Sequence, residues 1–300
     1  MTALALAMPG NEKVTAGIAR TLGIRTGRLA VHRFPDGESL VRLDDGVAGA
    51  HVVIVCTLRA PDAVVLPLLF AARAVREAGA RTVGLIAPYL AYMRQDTRFH
   101  AGEALTSVDF ARLLEARFDW LATVDPHLHR FKTLGQVYRI PAVALHSGRL
   151  LAEYVRGLER PLLIGPDVES EQWVAAVARL VDAPYVVLEK TRLGDRDVRI
   201  RIPAIDVYPE RTPVLVDDII SSARTMLTAL QGWPRGARRP VCLGIHAVFA
   251  DGAYEELLAA QPQAVVTTNT IEHPSNAIDV TSLLAAEARL PLGVDVPVGE

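Results

Sequence analysis

The sequence predicts an α/β protein of two tandem domains, each a mostly parallel sheet flanked by helices. Three observations carry that expectation. Short runs rich in Val, Ile and Leu alternate with stretches whose apolar residues recur at helical spacing, the pattern of strand, helix and parallel strand. The rhythm begins again in the second half of the chain. Three hundred residues, half of them hydrophobic, also suffice for two cores. No linker-like or low-complexity segment marks the boundary, which we place near Ala144–Gly148, giving domains 1–145 and 146–300.

In order, Thr2–Met8 reads as a strand, Pro9-Gly10 as a turn, and Asn11 as the cap of a helix carrying Val14, Ile18 and Leu22. Arg28–Arg33 and Ser39–Leu43 are strands around Phe34-Pro35-Asp36-Gly37-Glu38, and His51–Thr57 is a buried strand. Asp62 opens an amphipathic helix that Gly79 ends. Thr82–Ala87 is a strand emptying into a long polar loop, Pro88–Leu105; a helix follows to about Arg117, then a strand at Trp120–Val124. The second half reads as a strand at Pro161–Ile164, a helix at Glu169–Val181, a strand at Tyr185–Leu188 and a charged hairpin reaching Tyr208. Val214–Val216 is a buried strand, followed by a helix. Val241–Val248 and Ala264–Thr268 are strands around a helix near Ala253–Ala260.

Composition narrows the function classes. A formal net charge of −2 with no block of like charge argues against a nucleic-acid or membrane-surface role. Cys56 and Cys242 lie far apart inside apolar runs, as reduced cysteines of a cytoplasmic protein do, and not as a disulfide or metal framework. The apolar N-terminus lacks the basic start of an export signal, and charges interrupt every apolar run before it reaches the length of a membrane span. Of 32 basic residues only Lys13, Lys132 and Lys190 are lysines, so a lysine here carries some information.

The most suggestive stretch is Pro213–Thr225, PVLVDDIISSART. An apolar run ends in Asp217 and Asp218, then in Ser221, Ser222 and Thr225 at a helix start. A loop after the strand would free both carboxylates to face one ligand. Hydroxyls and unpaired N–H groups at the helix N-terminus suit a phosphate. Two acids beside a phosphate cradle describe a site for ribose 5-phosphate; an Asp-rich turn is the plainer alternative. Phe34-Pro35-Asp36-Gly37-Glu38 can hold a purine by stacking and by accepting its amine, or can be an ordinary turn. Arg94-Gln95-Asp96 can clamp a triphosphate, or form local pairs in a solvated loop. His127, beyond a strand, can touch a phosphate or metal. The His127-x-His129 pair has no further ligand cluster nearby in sequence to make it a zinc site.

Taken together, these stretches resemble the ribose-phosphate pyrophosphokinases, enzymes of phosphoribosyltransferase-type fold, across nearly the whole chain. The segment Pro88-Tyr89-Leu90-Ala91-Tyr92-Met93-Arg94-Gln95-Asp96 is the most specific match. The resemblance implies transfer of pyrophosphate from ATP to the C1 hydroxyl of ribose 5-phosphate. It assigns ATP to Phe34, Asp36, Glu38, Arg94, Gln95, Asp96 and His127, with the first three serving a neighbouring subunit. Ribose 5-phosphate falls to Asp217, Asp218, Ser221, Ser222, Ala223, Arg224 and Thr225; Mg2+ falls to His127 and Asp167. Lys190 and Arg192 are the catalytic pair at the root of a closing loop. A homo-oligomer follows from the shared adenine site. Ala223-Arg224 and Glu169-Ser170 stand where the family usually has glycines or other small residues. A non-catalytic regulatory relative and a phosphoribosyltransferase using phosphoribosyl pyrophosphate remain alternatives.

Overall fold

The computed structural model describes residues 2–165, 170–192, 198–201 and 208–294. The chain divides into two compact units, one of residues 1–146, 270–272 and 280–300, the other of residues 147–269 and 273–279. After the second unit the chain therefore returns to the first, which a single cut near residue 145 does not capture.

In the first unit, β1 (Ala3–Ala7), α1 (Glu12–Leu22), β2 (Arg25–Gly27), β3 (Leu29–Arg33), β4 (Ser39–Leu43) and β5 (His51–Val55) come first. They are followed by α2 (Pro61–Glu77), β6 (Thr82–Ala87), α3 (Thr106–Glu115), β7 (Trp120–Val124) and β8 (Ala142–Leu145). All neighbours in the six-stranded sheet, ordered β2-β1-β5-β6-β7-β8, run parallel. β5 and β6 are almost wholly buried, which is why they read as continuous apolar runs and not as alternating ones. β3 and β4 form a separate antiparallel hairpin. Asn11 precedes α1 as expected, but its side chain makes no cap. It donates instead to the carbonyls of Met8 and Pro9 and accepts from the Thr57 N–H at 2.7 Å, tying the end of β1 to the end of β5.

The second unit contains α4 (Gly148–Arg156), β9 (Pro161–Gly165), α5 (Glu171–Leu180), β10 (Tyr185–Val187), β11 (Glu189–Arg192), β12 (Val198–Arg201) and β13 (Thr212–Ile219). Then come α6 (Arg224–Gln231), β14 (Val241–His246), α7 (Ala253–Ala259), β15 (Ala264–Thr268) and β16 (Asn276–Ile278). Its parallel sheet is ordered β10-β9-β13-β14-β15-β16, with β11 and β12 paired apart as an antiparallel hairpin. Chain order reverses between β9 and β13. Ligands of open α/β sheets bind at such a reversal, outside the carboxyl ends of the strands.

The last helix, α8 (Thr281–Ala288), packs on α1 in the first unit. Gly17 permits the close crossing: a Cβ there would lie 2.6 Å from the Thr281 methyl. Both cysteines are buried and unpaired to one another, and burial pushes each thiol up to about 12, so neither forms a reactive thiolate at neutral pH. Among the described residues, no helix is long and apolar enough to cross a membrane.

Candidate active site

In the first unit, two of the expected loops leave the carboxyl ends of neighbouring strands, β6 and β7. Arg94 is exposed and Gln95 half-buried, its Oε1 accepting from the Thr106 hydroxyl at 2.7 Å at the start of α3. Asp96 behaves differently. Its carboxylate is buried and takes the Arg130 backbone N–H at 2.7 Å and the Arg130 guanidinium at 2.8 Å. Burial alone would raise its pKa; the two bonds from Arg130 outweigh that and hold it below the usual carboxylate range. Asp96 thus fastens the Arg94–Asp96 loop to the loop carrying His127, whereas the sequence reading puts it on the nucleotide. Its partner lies 34 residues away, with no local signal to announce it.

Beyond β7, Asp125 sits at φ 35° and its carboxylate meets His146 Nδ1 at 3.1 Å, a contact that raises the His146 pKa against opposing desolvation. His127 is half-buried, its ring stacked over His129 with centroids 6.3 Å apart. Phe34, Asp36 and Glu38 lie elsewhere, exposed on the β3–β4 turn. The turn is closed by Phe34 N–H to the Glu38 carbonyl at 2.8 Å and by Glu38 N–H to the Asp36 carboxylate at 3.1 Å. The hairpin leans on α2 through Arg33, which donates to the Ala63 carbonyl at 2.6 Å. Its turn is therefore presented outward, on a hairpin separate from the main sheet.

In the second unit the strand read at Val214–Val216 is longer than expected. β13 continues through both aspartates, with Asp217 opposite Gly244 and Ile219 opposite His246 on β14. Successive strand side chains point to opposite faces, so the expectation of a loop that frees both carboxylates together is corrected. Both remain half-buried at the carboxyl end of β13. The turn that follows matches its expected place: Ser221 is half-buried, Ser222 and Arg224 are exposed, and Thr225 lies in the first turn of α6. Ala223 adopts φ 53°, ψ 9°, a left-handed conformation that a glycine takes without strain, so the turn keeps a glycine's backbone without the glycine. The turn is drawn tight from below. A Cβ on Gly244 would lie 2.5 Å from Ile220 Cδ1, so only glycine lets Ile220 settle over β14.

The expected catalytic pair sits on β11, whose backbone pairs Lys190 with Ile200 and Arg192 with Val198; their side chains lie outside the described residues. Asp167 lies outside the described residues altogether. Among the described residues, no group of three or more His, Cys, Asp or Glu side chains could by itself hold a metal ion.

Known proteins match this architecture from end to end. Residues 4–117 fit the model of the N-terminal domain of ribose phosphate pyrophosphokinase, and residues 133–283 that of the phosphoribosyl transferase domain. A ribose-phosphate pyrophosphokinase of Methanopyrus kandleri is 33% identical over 287 residues, covering 94% of this chain and 97% of its own. The chain belongs to the ribose-phosphate pyrophosphokinase family. Another member, from Sulfurisphaera tokodaii, is 32% identical over 263 residues, covering 85% of this chain and 89% of its own. The crystal structure of the phosphoribosylpyrophosphate synthetase of Mycobacterium smegmatis superposes with a TM-score of 0.83 at 22% identity, covering 96% of this chain and 98% of that one; it supports the fold. Family membership and fold agree with the two tandem parallel-sheet domains read from the sequence.

Proposed function

We propose that this chain transfers the pyrophosphoryl group of ATP to the anomeric hydroxyl of ribose 5-phosphate, giving phosphoribosyl pyrophosphate and AMP. The observation that carries the proposal within the family is the end of β13. Two carboxylates run into a tight turn and a helix start where the strand order reverses. Ser221, Ser222, Ala223, Arg224 and Thr225 offer hydroxyls and N–H groups to the 5-phosphate, and the electropositive start of α6 favours its charge. Asp217 and Asp218, on opposite faces, take different roles: one accepts from the ribose hydroxyls while the other steadies the strand end or the cation.

The anomeric oxygen attacks the β-phosphorus and the bond to the α–β bridging oxygen breaks. AMP leaves with that electron pair, and the hydroxyl proton passes to solvent. Such a displacement needs positioning and charge neutralisation more than covalent help. Arg94 and Gln95 hold the triphosphate beside His127, and Asp96 keeps these two loops together. Lys190 and Arg192 meet the charge that builds on the transferring phosphoryl oxygens. Mg2+ keeps waters and substrate phosphates as ligands and needs only one or two groups from the protein, which His127 and Asp167 would supply. When bound, Mg2+ neutralises phosphate charge.

Phe34, Asp36 and Glu38, presented outward on the hairpin, serve the adenine of a neighbouring copy, so the protein is at least a dimer. Mixed Phe34→Ala and Lys190→Ala subunits then recover activity through hybrid sites; no recovery despite proven subunit exchange refutes the sharing. A cytoplasmic setting fits the reduced cysteines.

Lys190→Ala tests the catalytic reading. It lowers kcat roughly 10²-fold or more, the scale of losing one preorganised charge donor, while both KM values change little. A parent protein with no ribose 5-phosphate-dependent AMP release would be a regulatory relative, and an Ala variant as fast as the parent would remove Lys190 from the mechanism.

A further inference from the structure

Beyond the β13 turn, the segment after β14 carries an arrangement that the reaction as described does not use. Phe249 is buried and sits at φ 27°, a conformation that a bulky L residue holds only where its surroundings over-determine it. Its ring stacks on His273, with centroids 4.6 Å apart and planes 28° apart. Tyr254, on α7, meets the His273 ring edge-on at 4.6 Å and the Phe249 ring at 5.1 Å. Three rings from three segments thus close on one another.

The histidine is fixed from its other side by a chain of polar bonds with a definite direction. The Ser275 backbone N–H, which can only donate, points at His273 Nδ1 at 3.3 Å, so Nδ1 is the acceptor nitrogen. The Ser275 hydroxyl therefore donates to Nδ1 at 2.8 Å and accepts from the Thr267 hydroxyl at 2.7 Å. Thr267 in turn accepts from the Asn276 amide at 2.9 Å. The order Asn276, Thr267, Ser275, His273 leaves the imidazole proton on Nε2 and pins the ring plane to β15 and β16.

What this pinned cluster holds is the turn after β13. The Phe249 N–H donates to the Ile220 carbonyl at 2.8 Å, and the Ala250 N–H donates to the Ser221 carbonyl at 3.1 Å. From below, the Ile220 N–H donates to the His246 carbonyl at 3.0 Å. Ile220 leads directly into the turn assigned above to the 5-phosphate, and Ser221 is its first residue.

We infer that Phe249, Tyr254 and His273 form an aromatic clasp that positions the 5-phosphate turn, with His273 as its keystone. These are positioning residues: they act through the Phe249 and Ala250 amides. The inference rests on the proposed role of residues 221–225 in binding ribose 5-phosphate. Its consequence is selective, because the clasp supports this turn and the loops assigned to ATP belong to the other unit.

The test compares the KM for ribose 5-phosphate with that for ATP in the full-length protein, alongside thermal melting. His273→Ala removes both ring contacts and raises the ribose 5-phosphate KM about tenfold, as loss of two aromatic contacts allows, with the ATP KM within about twofold. His273→Phe restores the rings without the polar chain and recovers most of that loss. Tyr254→Leu, at a half-buried helix position, keeps the experiment open should His273→Ala fail to fold, and it shifts the same KM in the same direction. Ser222→Asp, which sets a carboxylate in the turn itself, tests the underlying assignment. If Ser222→Asp raises the ribose 5-phosphate KM while folded clasp variants leave it unmoved, the clasp is overturned and the phosphate turn stands. If Ser222→Asp leaves it unmoved, the phosphate turn falls first, and the clasp with it. Equal rises in both KM values would show a merely structural cluster and also overturn the inference.

Discussion

Replacing Asp96 with Asn keeps the shape of the side chain and removes its charge, which isolates the role the structure gives it. In the parent each carboxylate oxygen takes one donor, the Arg130 N–H at 2.7 Å and the Arg130 guanidinium at 2.8 Å. The amide keeps one acceptor and turns an NH2 group toward the other donor. A hydrogen bond to a charged group contributes roughly 1.5–3 kcal/mol. The Asp96 side chain is 3% exposed but the Arg130 side chain is 52% exposed, so solvent screening places the cost low in that range, about 2 kcal/mol. The pH dependence has a definite sign. A carboxylate whose folded pKa is depressed contributes stability above its unfolded pKa, about 4, and that contribution fades as pH falls toward the folded value. Urea unfolding of the transition that reports the first unit therefore separates parent and variant by about 2 kcal/mol at pH 7, and the gap narrows steadily below about pH 4. An Asn variant as stable as the parent at pH 7, with an ATP KM raised by an order of magnitude, would refute the fastening role and return Asp96 to the nucleotide.

Two further perturbations address the ribose side. Ala223 holds φ 53°, so Ala223→Gly relieves strain and leaves stability unchanged or raised by up to about 1 kcal/mol, whereas the β-branched Ala223→Val lowers it by more than that; thermal melting of both variants reads the difference. Because Asp217 and Asp218 point to opposite faces, their Asn variants should not be equal. Calorimetric titration should show one weakening ribose 5-phosphate by about 1–3 kcal/mol and the other much less, and equal losses would mean that the strand end reshapes itself around the sugar.

The buried parallel strands were the legible part of the fold. Thr82–Ala87, Trp120–Val124 and Ala264–Thr268 coincide with observed strands, because runs of Val, Ile, Leu and Thr bounded by turn residues leave little choice of conformation. No sequence expectation covers β8, α4, β16 or α8. β8 and β16 are too short to show periodicity, and α4 falls where the domain boundary was placed. α8 did carry a signal: its buried Thr281, Leu284, Ala285 and Ala288 recur at i, i+3, i+4 and i+7. Its return to α1 in the first unit is a tertiary fact that no local pattern states. The same holds at the site. Aspartate is a poor strand former, so Asp217-Asp218 reads as the start of a loop, yet pairing with β14 carries the strand past both. The left-handed Ala223 was legible only as a departure from glycine, and Arg130 and His273 act through partners distant in sequence or through stacked rings, which leave no motif behind.

Phosphorus NMR on the purified protein with ATP, Mg2+ and ribose 5-phosphate follows the proposed reaction itself. AMP should appear in equal amount with a new diphosphate monoester, both dependent on ribose 5-phosphate and neither formed from ribose. ADP with a sugar bisphosphate, or no ribose 5-phosphate-dependent AMP from folded protein, would contradict it.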